Sequence, residues 1–301
     1  MQKVFITGAT SFLGRNVVRH LLSKGYEVYA FVRKESASLN ELPENENLHL
    51  FFGSLDCIEK VLTELSEADI CLHFAWDGSG NAGRADKQVQ DKNVDYSMRA
   101  LEVAVKLGCK KFVFSGSQAE YGICHGSMKE DTECNPISEY GKAKLRFSSL
   151  AKTFCEDKSI IFIHLRIFSV YGTDDRDGTL VKSCVYKFNH GECMKLGPCS
   201  QMWNYLHISD FVEAIYGVIE KKLSEGIYNV GGNDTRVLRE FVKEIYEVSN
   251  KTGAYEFGTT ASNPEGSPAL NPDISKLIKA VGWSPKISFR QGIEEMMTSV
   301  F

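Results

Sequence analysis

The sequence of 301 residues predicts an α/β fold, a doubly wound parallel sheet followed by a smaller carboxyl-terminal α/β lobe. Two observations predict the sheet. Up to about residue 170, short apolar runs alternate with helical stretches, and the runs are apolar at successive positions, as in strands covered on both faces. The first run also leads directly into a glycine-spaced turn, Gly8 to Gly14, and then a helix. Right-handed crossovers wind such a sheet in two directions and leave ligand sites outside the carboxyl ends of its strands.

In chain order, residues 2–7 read as a buried strand and about 12–24 as a helix ended by Gly25. A second strand covers 26–32 and carries Arg33 and Lys34 at its carboxyl end. A third covers 48–52 and runs into Gly53-Ser-Leu-Asp56. A helix over about 57–66 leads to a strand over 69–75, and a longer helix over about 87–107 leads to a strand over 111–114. Tyr140 to about Asp157 is helical, and 160–166 is a sixth strand. Beyond about residue 170 the loops lengthen, at Tyr171 to Gly178 and Gly253 to Pro272, around isolated strands such as 225–230. The expected division is a dinucleotide-binding domain over 1–170, to which later segments can return, and a substrate lobe over 171–301.

Bulk composition narrows the function classes. With 43% hydrophobic and 25% charged residues the chain is an ordinary globular one, and a net charge of −4 offers no general attraction for nucleic acid or anionic lipid. No apolar run approaches ~18 residues, so a transmembrane helix is not expected. Met1 leads within a few residues into a strand without the parts of a secretory signal, which makes a cytoplasmic location the expectation. The nine cysteines are odd in number and irregular in spacing, and the seven histidines lie away from paired cysteines. Reduced thiols and no metal site are expected.

The strand–turn–helix from Gly8 to Gly14 is a Rossmann-type phosphate site. Gly8 allows the tight turn, Gly14 the close packing of helix on sheet, and the helix amino terminus faces a pyrophosphate across Thr10, Ser11, Phe12 and Leu13. A carboxylate at the end of the second strand would accept from the adenosine ribose diol of NAD. Arg33 and Lys34 stand there instead, with Ser36 nearby, and Arg can grip a 2′-phosphate bidentately. NADP is therefore the expected cofactor, with NAD as the alternative.

Tyr140 and Lys144 lie one helical turn apart in Tyr140-Gly-Lys-Ala-Lys144, with Ser117 in the segment that follows the fifth strand. A free phenol, with a pKa near ~10, is a poor base at neutral pH. An ammonium on the same helix face favours the phenolate, so phenol and phenolate can be exchanged near working pH. Ser117 can hydrogen-bond the reacting oxygen. These three are the candidate catalytic residues for carbonyl–alcohol interconversion against a nicotinamide.

These motifs resemble the extended short-chain dehydrogenase/reductases, specifically the nucleotide-sugar epimerase/dehydratase/reductase group, over nearly the whole chain. The resemblance includes Leu72-His-Phe-Ala75, Phe114-Ser-Gly-Ser117 with Tyr121-Gly122, Leu165-Arg-Ile-Phe-Ser-Val-Tyr-Gly172 and Tyr205-Leu-His-Ile-Ser-Asp210. It continues through Tyr228-Asn-Val-Gly-Gly232, Asp273-Ile-Ser-Lys-Leu277 and Gly282-Trp-Ser-Pro285. It implies that Ser54 and Leu55 lie near the adenine, Phe74 and Ala75 along the pyrophosphate and ribose, and Asn93 behind the strand end. It also implies Ser115 and Phe168 at the cofactor, Gln118 and Ser169 at the substrate, and a homodimer through the helices at about 87–107 and 140–157. Ser11 departs from the family's usual glycine, Ser169 from a frequent Asn, and Trp203 from a phosphate-binding Arg; the stretch before Asp273 also lacks a frequent Arg. Trp203 can stack on a base or sugar, or belong to the core.

Dehydratases of this group follow the catalytic hydroxyl with an acid and a base. Here Gln118 and Ala119 follow Ser117, and Glu120 is expected on the other face of an extended segment. The favoured reading is an NADPH-dependent 4-ketoreductase of a nucleotide-linked 4-keto-6-deoxy sugar. The alternative is a nucleotide-sugar 4-epimerase that retains NAD. A reductase of a non-nucleotide carbonyl, a 4,6-dehydratase and a non-catalytic NADP-binding regulator stand behind these two.

Overall fold

The structure is a computed structural model that describes residues 1–124, 126–260 and 269–299. Its first elements are β1 (Lys3–Thr7), α1 (Phe12–Ser23), β2 (Glu27–Val32), β3 (Leu48–Phe52), β4 (Ile70–His73), α2 (Asn81–Ala85), α3 (Lys87–Lys106), β5 (Lys111–Ser117), α4 (Glu139–Lys158) and β6 (Ile161–Ile167). There follow β7 (Ser169–Tyr171), α5 (Leu180–Asn189), β8 (Cys193–Leu196), β9 (Met202–His207), α6 (Ile208–Glu220), β10 (Gly226–Val230), β11 (Thr235–Val237), α7 (Leu238–Val248), β12 (Ala254–Phe257), α8 (Ser275–Val281) and α9 (Phe289–Ser299).

Two compact units interleave along the chain. The first holds residues 1–122, 134–166 and 215–228; the second holds 123–133, 167–214 and 229–301. Segments 123–133 and 215–228 belong to a different unit from the residues that flank them in sequence.

The seven-stranded sheet runs β10-β6-β5-β4-β1-β2-β3. β1 pairs in parallel with β2 on one side and with β4 on the other, which is the topological switch point of a doubly wound sheet. The central strands are buried on both faces, and that is why β5 reads apolar at successive positions. Helix α1 presents Val17, Val18, Leu21 and Leu22 to the core. Phe112, Phe114, Phe147 and Phe162 pack as tilted and edge-on rings under α4, with Phe114 and Phe147 centroids 4.5 Å apart. Lys111, the first residue of β5, is buried and donates to the carbonyls of Val218 and Ile219 in the last turn of α6 and of Lys221 just beyond it.

Three expectations are corrected. The segment at 225–230 is not an isolated strand; it returns as β10 to the edge of the main sheet beside β6. The helix expected at 57–66 is a 3-10 helix over Leu55–Thr63, kinked at Cys57, and its buried residues Ile58 and Val61 fall three apart as that geometry requires. The loop expected from Gly253 contains β12, paired in parallel with β8; residues 261–268 of the same stretch lie outside the described residues.

The second unit carries a three-stranded sheet, β11-β9-β7. Its late motifs are backbone ties. Asn204 donates to the carbonyls of Gly232 and Asp234, and its own carbonyl accepts from Gly232 N–H. A Cβ at Gly232 would fall 2.1 Å from Tyr205 O. The Asp210 carboxylate accepts from the N–H groups of Lys286 and Ile287, just beyond Gly282-Trp-Ser-Pro285. Asn229 donates to the carbonyls of Met128 and Asp273.

Candidate active site

The glycine turn is built by close backbone approach. Gly8 has φ +74°, and a Cβ there would fall 2.5 Å from Ala75 N; one at Gly14 would fall 2.1 Å from Gly8 O. Residue 11 has φ −71°, so a side chain is tolerated at this position of the turn. The Ser11 hydroxyl caps α1 by accepting from Gly14 N–H at 3.1 Å. The first turn of α1 holds no acidic residue. Ser11 is exposed, Thr10, Phe12 and Leu13 are half-buried, and together they form the rim of this helix amino terminus. A cradle closed to side chains and a positive helix end without an internal counter-charge fit a dinucleotide pyrophosphate.

The end of β4 faces the same turn. Phe74 N–H donates to Thr7 O, and Ala75 N–H to Thr7 Oγ1. Buried His73 bridges Thr7 Oγ1 at 2.7 Å and Ser97 Oγ at 2.9 Å. Asn93 grips the backbone of Asp77 from both sides, accepting from its N–H and donating to its carbonyl. Arg33 lies 3.3 Å from the Asp77 carboxylate, both side chains more than half exposed. Lys34 lies over the ring of Phe52. Ser54 is exposed and donates to Asp56, while Leu55 is half-buried.

β5 runs three residues further than expected, so Ser117 is the last residue of the strand. Its hydroxyl accepts from Ala119 N–H at 3.2 Å and opens a 3-10 turn over Gln118–Glu120. This corrects the extended segment expected there. Glu120 is fully buried and reaches back to Ser117 N–H, whereas Gln118 is half-buried. The signal was present: Ser117-Gln-Ala-Glu120 is a capping-box sequence.

Helix α4 starts on Ser138, whose hydroxyl accepts from Gly141 N–H, and carries Tyr140 and Lys144 on one face. A Cβ at Gly141 would fall 2.4 Å from Ala119 O, so glycine lets this helix end sit against the Ser117 turn. Lys144 is buried and donates to Ser115 O at 2.6 Å. Burial pushes its ammonium well below the usual lysine range, and the buried Glu120 carboxylate opposes that shift.

Sequence reasoning missed Trp76. Its ring lies 3.7 Å from Lys144 Nζ and meets Tyr140 edge-on, and its Nε1 donates to Gln90 Oε1. Arg84 covers the Tyr140 ring at 4.4 Å. An aromatic residue directly after Leu72-His-Phe-Ala75 was the available signal. In the second unit, Phe168 is buried with its N–H donating to Val230 O, and Ser169 opens β7. Trp203 on β9 is half-buried against that unit's aromatic core.

Residues 4–231 match the family model described as "NAD dependent epimerase/dehydratase family". The chain belongs to this family. It is 25% identical to the CDP-abequose synthase of Salmonella muenchen over 99% of this chain and 97% of that one. It is 24% identical to the dTDP-4-dehydro-6-deoxyglucose reductase of Escherichia coli over 99% and 97%. Among solved structures, it is similar to the UDP-glucose 4-epimerase of Thermus thermophilus in complex with NAD, with a TM-score of 0.89 and 22% identity over 99% of this chain and 98% of that one.

As a member of the epimerase/dehydratase family the chain is an enzyme of nicotinamide chemistry. Among the described residues no cluster of His, Cys, Asp and Glu could hold a metal ion, and no helix is long and apolar enough to cross a membrane. Among the described residues no two cysteines are joined in a disulfide.

Burial, with Lys144 adding to it, lowers the His73 pKa from 6.5 to about 3. The unfolded chain therefore binds a proton at this position before the folded one does. The contribution is complete above pH 6.5 and is lost as pH falls toward about 3. It amounts to at most about 5 kcal/mol. In urea titrations at stepped pH, His73→Gln should lose less stability than wild type between pH 6.5 and 3. Equal losses would contradict the assignment.

Proposed function

We propose that the chain is an NADPH-dependent 4-ketoreductase of a nucleotide-linked 4-keto-6-deoxy sugar. The observation that carries the reduction is Arg33 just past β2, which favours an exchangeable NADPH, while the groups around the Ser117 hydroxyl narrow the chemistry to carbonyl–alcohol interconversion. Gln118 and Ala119 follow Ser117 and cannot exchange a proton usefully, and Glu120 is turned into the core. What remains is the Ser117, Tyr140 and Lys144 trio, which interconverts a carbonyl and an alcohol but does not remove water. Similarity to a 4-dehydro-6-deoxy sugar reductase over nearly the full length of both chains supports the same substrate class.

Gly8, Thr10, Ser11, Phe12, Leu13 and Gly14 would hold the pyrophosphate, Ser54 and Leu55 the adenine, and Phe74, Ala75, Asn93 and Ser115 the path to the nicotinamide. The cofactor supplies the hydride when bound. Ser117 holds the C4 oxygen, and the Tyr140 phenol gives it a proton as the alkoxide forms. Lys144, its proton loosened by burial, stands one turn away to restore that proton. Arg33 supports NADP: an exposed pair such as Arg33–Asp77 is worth little, so a 2′-phosphate can take the place of the carboxylate. The same Asp77 supports the second reading, a 4-epimerase in which a carboxylate beside Arg33 accepts from the ribose diol of retained NAD. Part of the proposal is a cytoplasmic homodimer through α3 and α4, whose Leu150 is exposed.

An NADPH-oxidation screen over CDP-, dTDP-, GDP- and UDP-linked 4-keto-6-deoxyhexoses should identify a substrate. Tyr140→Phe should then lower kcat by about a thousandfold or more while NADPH affinity stays within about twofold. Turnover that survives this change removes Tyr140 from the reaction. Arg33→Asp should lower the NADPH-to-NADH ratio of kcat/KM by about tenfold or more. An unchanged ratio, or NAD that co-purifies with the protein and does not exchange, would favour the epimerase.

A further inference from the structure

The 3-10 turn after Ser117 covers a buried ionic cluster that the trio does not use. Glu120 accepts from Ser117 N–H at 2.7 Å and from Arg166 Nε at 3.1 Å, and His164 Nε2 lies 3.0 Å from the same carboxylate. All three side chains are almost wholly excluded from solvent. On its other side His164 Nδ1 lies 2.7 Å from the hydroxyl of Ser148, one turn beyond Lys144 on α4. The Arg166 guanidinium lies over the ring of Tyr121 at 4.4 Å. Gly116 leaves room for the cluster, since a Cβ there would fall 2.1 Å from His164 Nε2 and 2.7 Å from Glu120 Oε1.

A buried ion pair is weak evidence for stability, because desolvation offsets most of the attraction. The cluster has a more specific consequence. Its contact to Ser117 N–H holds that residue extended, with φ −150° and ψ 148°, at the last position of β5. In this posture Ala119 N–H donates into the Ser117 hydroxyl, which leaves the hydroxyl's own proton to be given to a reacting oxygen. The link through His164 to Ser148 ties the same turn to the helix that carries Tyr140 and Lys144.

We infer that Glu120, held by His164 and Arg166, is a positioning residue that sets the Ser117 hydroxyl relative to Tyr140 and Lys144. The carboxylate moves no proton in the reaction and acts through Ser117. Its negative charge also favours the protonated form of Lys144. The inference rests on the proposed role of the trio, and a double-mutant cycle separates the two.

Glu120→Asp keeps the charge for Arg166 and His164 but withdraws it from Ser117 N–H by one methylene. With the sugar nucleotide turned over in the NADPH screen, Glu120→Asp should lower kcat by about tenfold or more and leave the NADPH Kd within about twofold. In a Ser117→Ala background the same change should cost less than about twofold, because the group it places is gone. An equal loss in both backgrounds, or no loss in kcat, overturns the positioning role. If Ser117→Ala alone keeps wild-type kcat, or no panel member is turned over, the reading of the trio fails and the inference with it. Should Glu120→Asp not fold, His164→Gln, which keeps a donor toward Glu120 and gives up the tie to Ser148, carries the same cycle. Its loss in kcat should likewise vanish in the Ser117→Ala background, and a loss that persists there overturns the inference.

Discussion

The hydrogen bond from Lys144 Nζ to Ser115 O is the interaction on which the candidate active site depends. An amine on a buried helix face must find acceptors or lose its charge, and here the acceptor is a main-chain carbonyl at the end of the central strand. That bond draws α4 onto the carboxyl end of β5, where Gly141 permits contact with Ala119 O. Trp76 and Phe114 present ring faces to the ammonium and exclude water from it. Tyr140 then follows from helix geometry, one turn before Lys144, and Ser117 from the end of the strand. The phenol, amine and hydroxyl are held by three different backbone constraints, so none depends on a mobile loop for its place.

The late motifs have a different physical task. Asn204, Asp210 and Asn229 each bind two or more backbone groups of distant segments, and Gly232 makes one of those approaches possible. They explain why the second unit has one arrangement of short strands and helices despite its long connections. They are structural ties, and they carry little information about the sugar or the nucleotide.

Much of the first unit was legible because its signals are local. Apolar runs bounded by turns located β1 to β6 within a few residues, and the Gly8–Gly14 spacing located the α1 turn. Tyr140 and Lys144 share a face by helical periodicity alone. What was hidden depends on pairing across long separations or on competition between local signals. The return of residues 226–230 to the sheet beside β6 is set by partners some sixty positions away. An extended segment after Ser117 is the local expectation for Glu120, whereas Ser117 and Glu120 satisfy each other's backbone groups and turn the chain. Trp76 has no periodicity to mark it, and its role appears only when Lys144 is seen beneath its ring.

The trio itself is indifferent to direction, since the same groups can oxidise an alcohol or reduce a ketone. Direction is decided by whether the nicotinamide exchanges with solution, and that makes the fate of the hydride the direct test of reduction. NADPH deuterated at the transferring carbon should be incubated with the nucleotide-linked 4-keto-6-deoxyhexose panel and the products read by NMR and mass spectrometry. A 4-ketoreductase places one deuterium at C4 of the sugar for each NADP formed. Failure to reduce any panel member, together with inversion at C4 of a 4-hydroxy nucleotide sugar supplied in its place, without deuterium and with no net consumption of NADPH, would contradict the account.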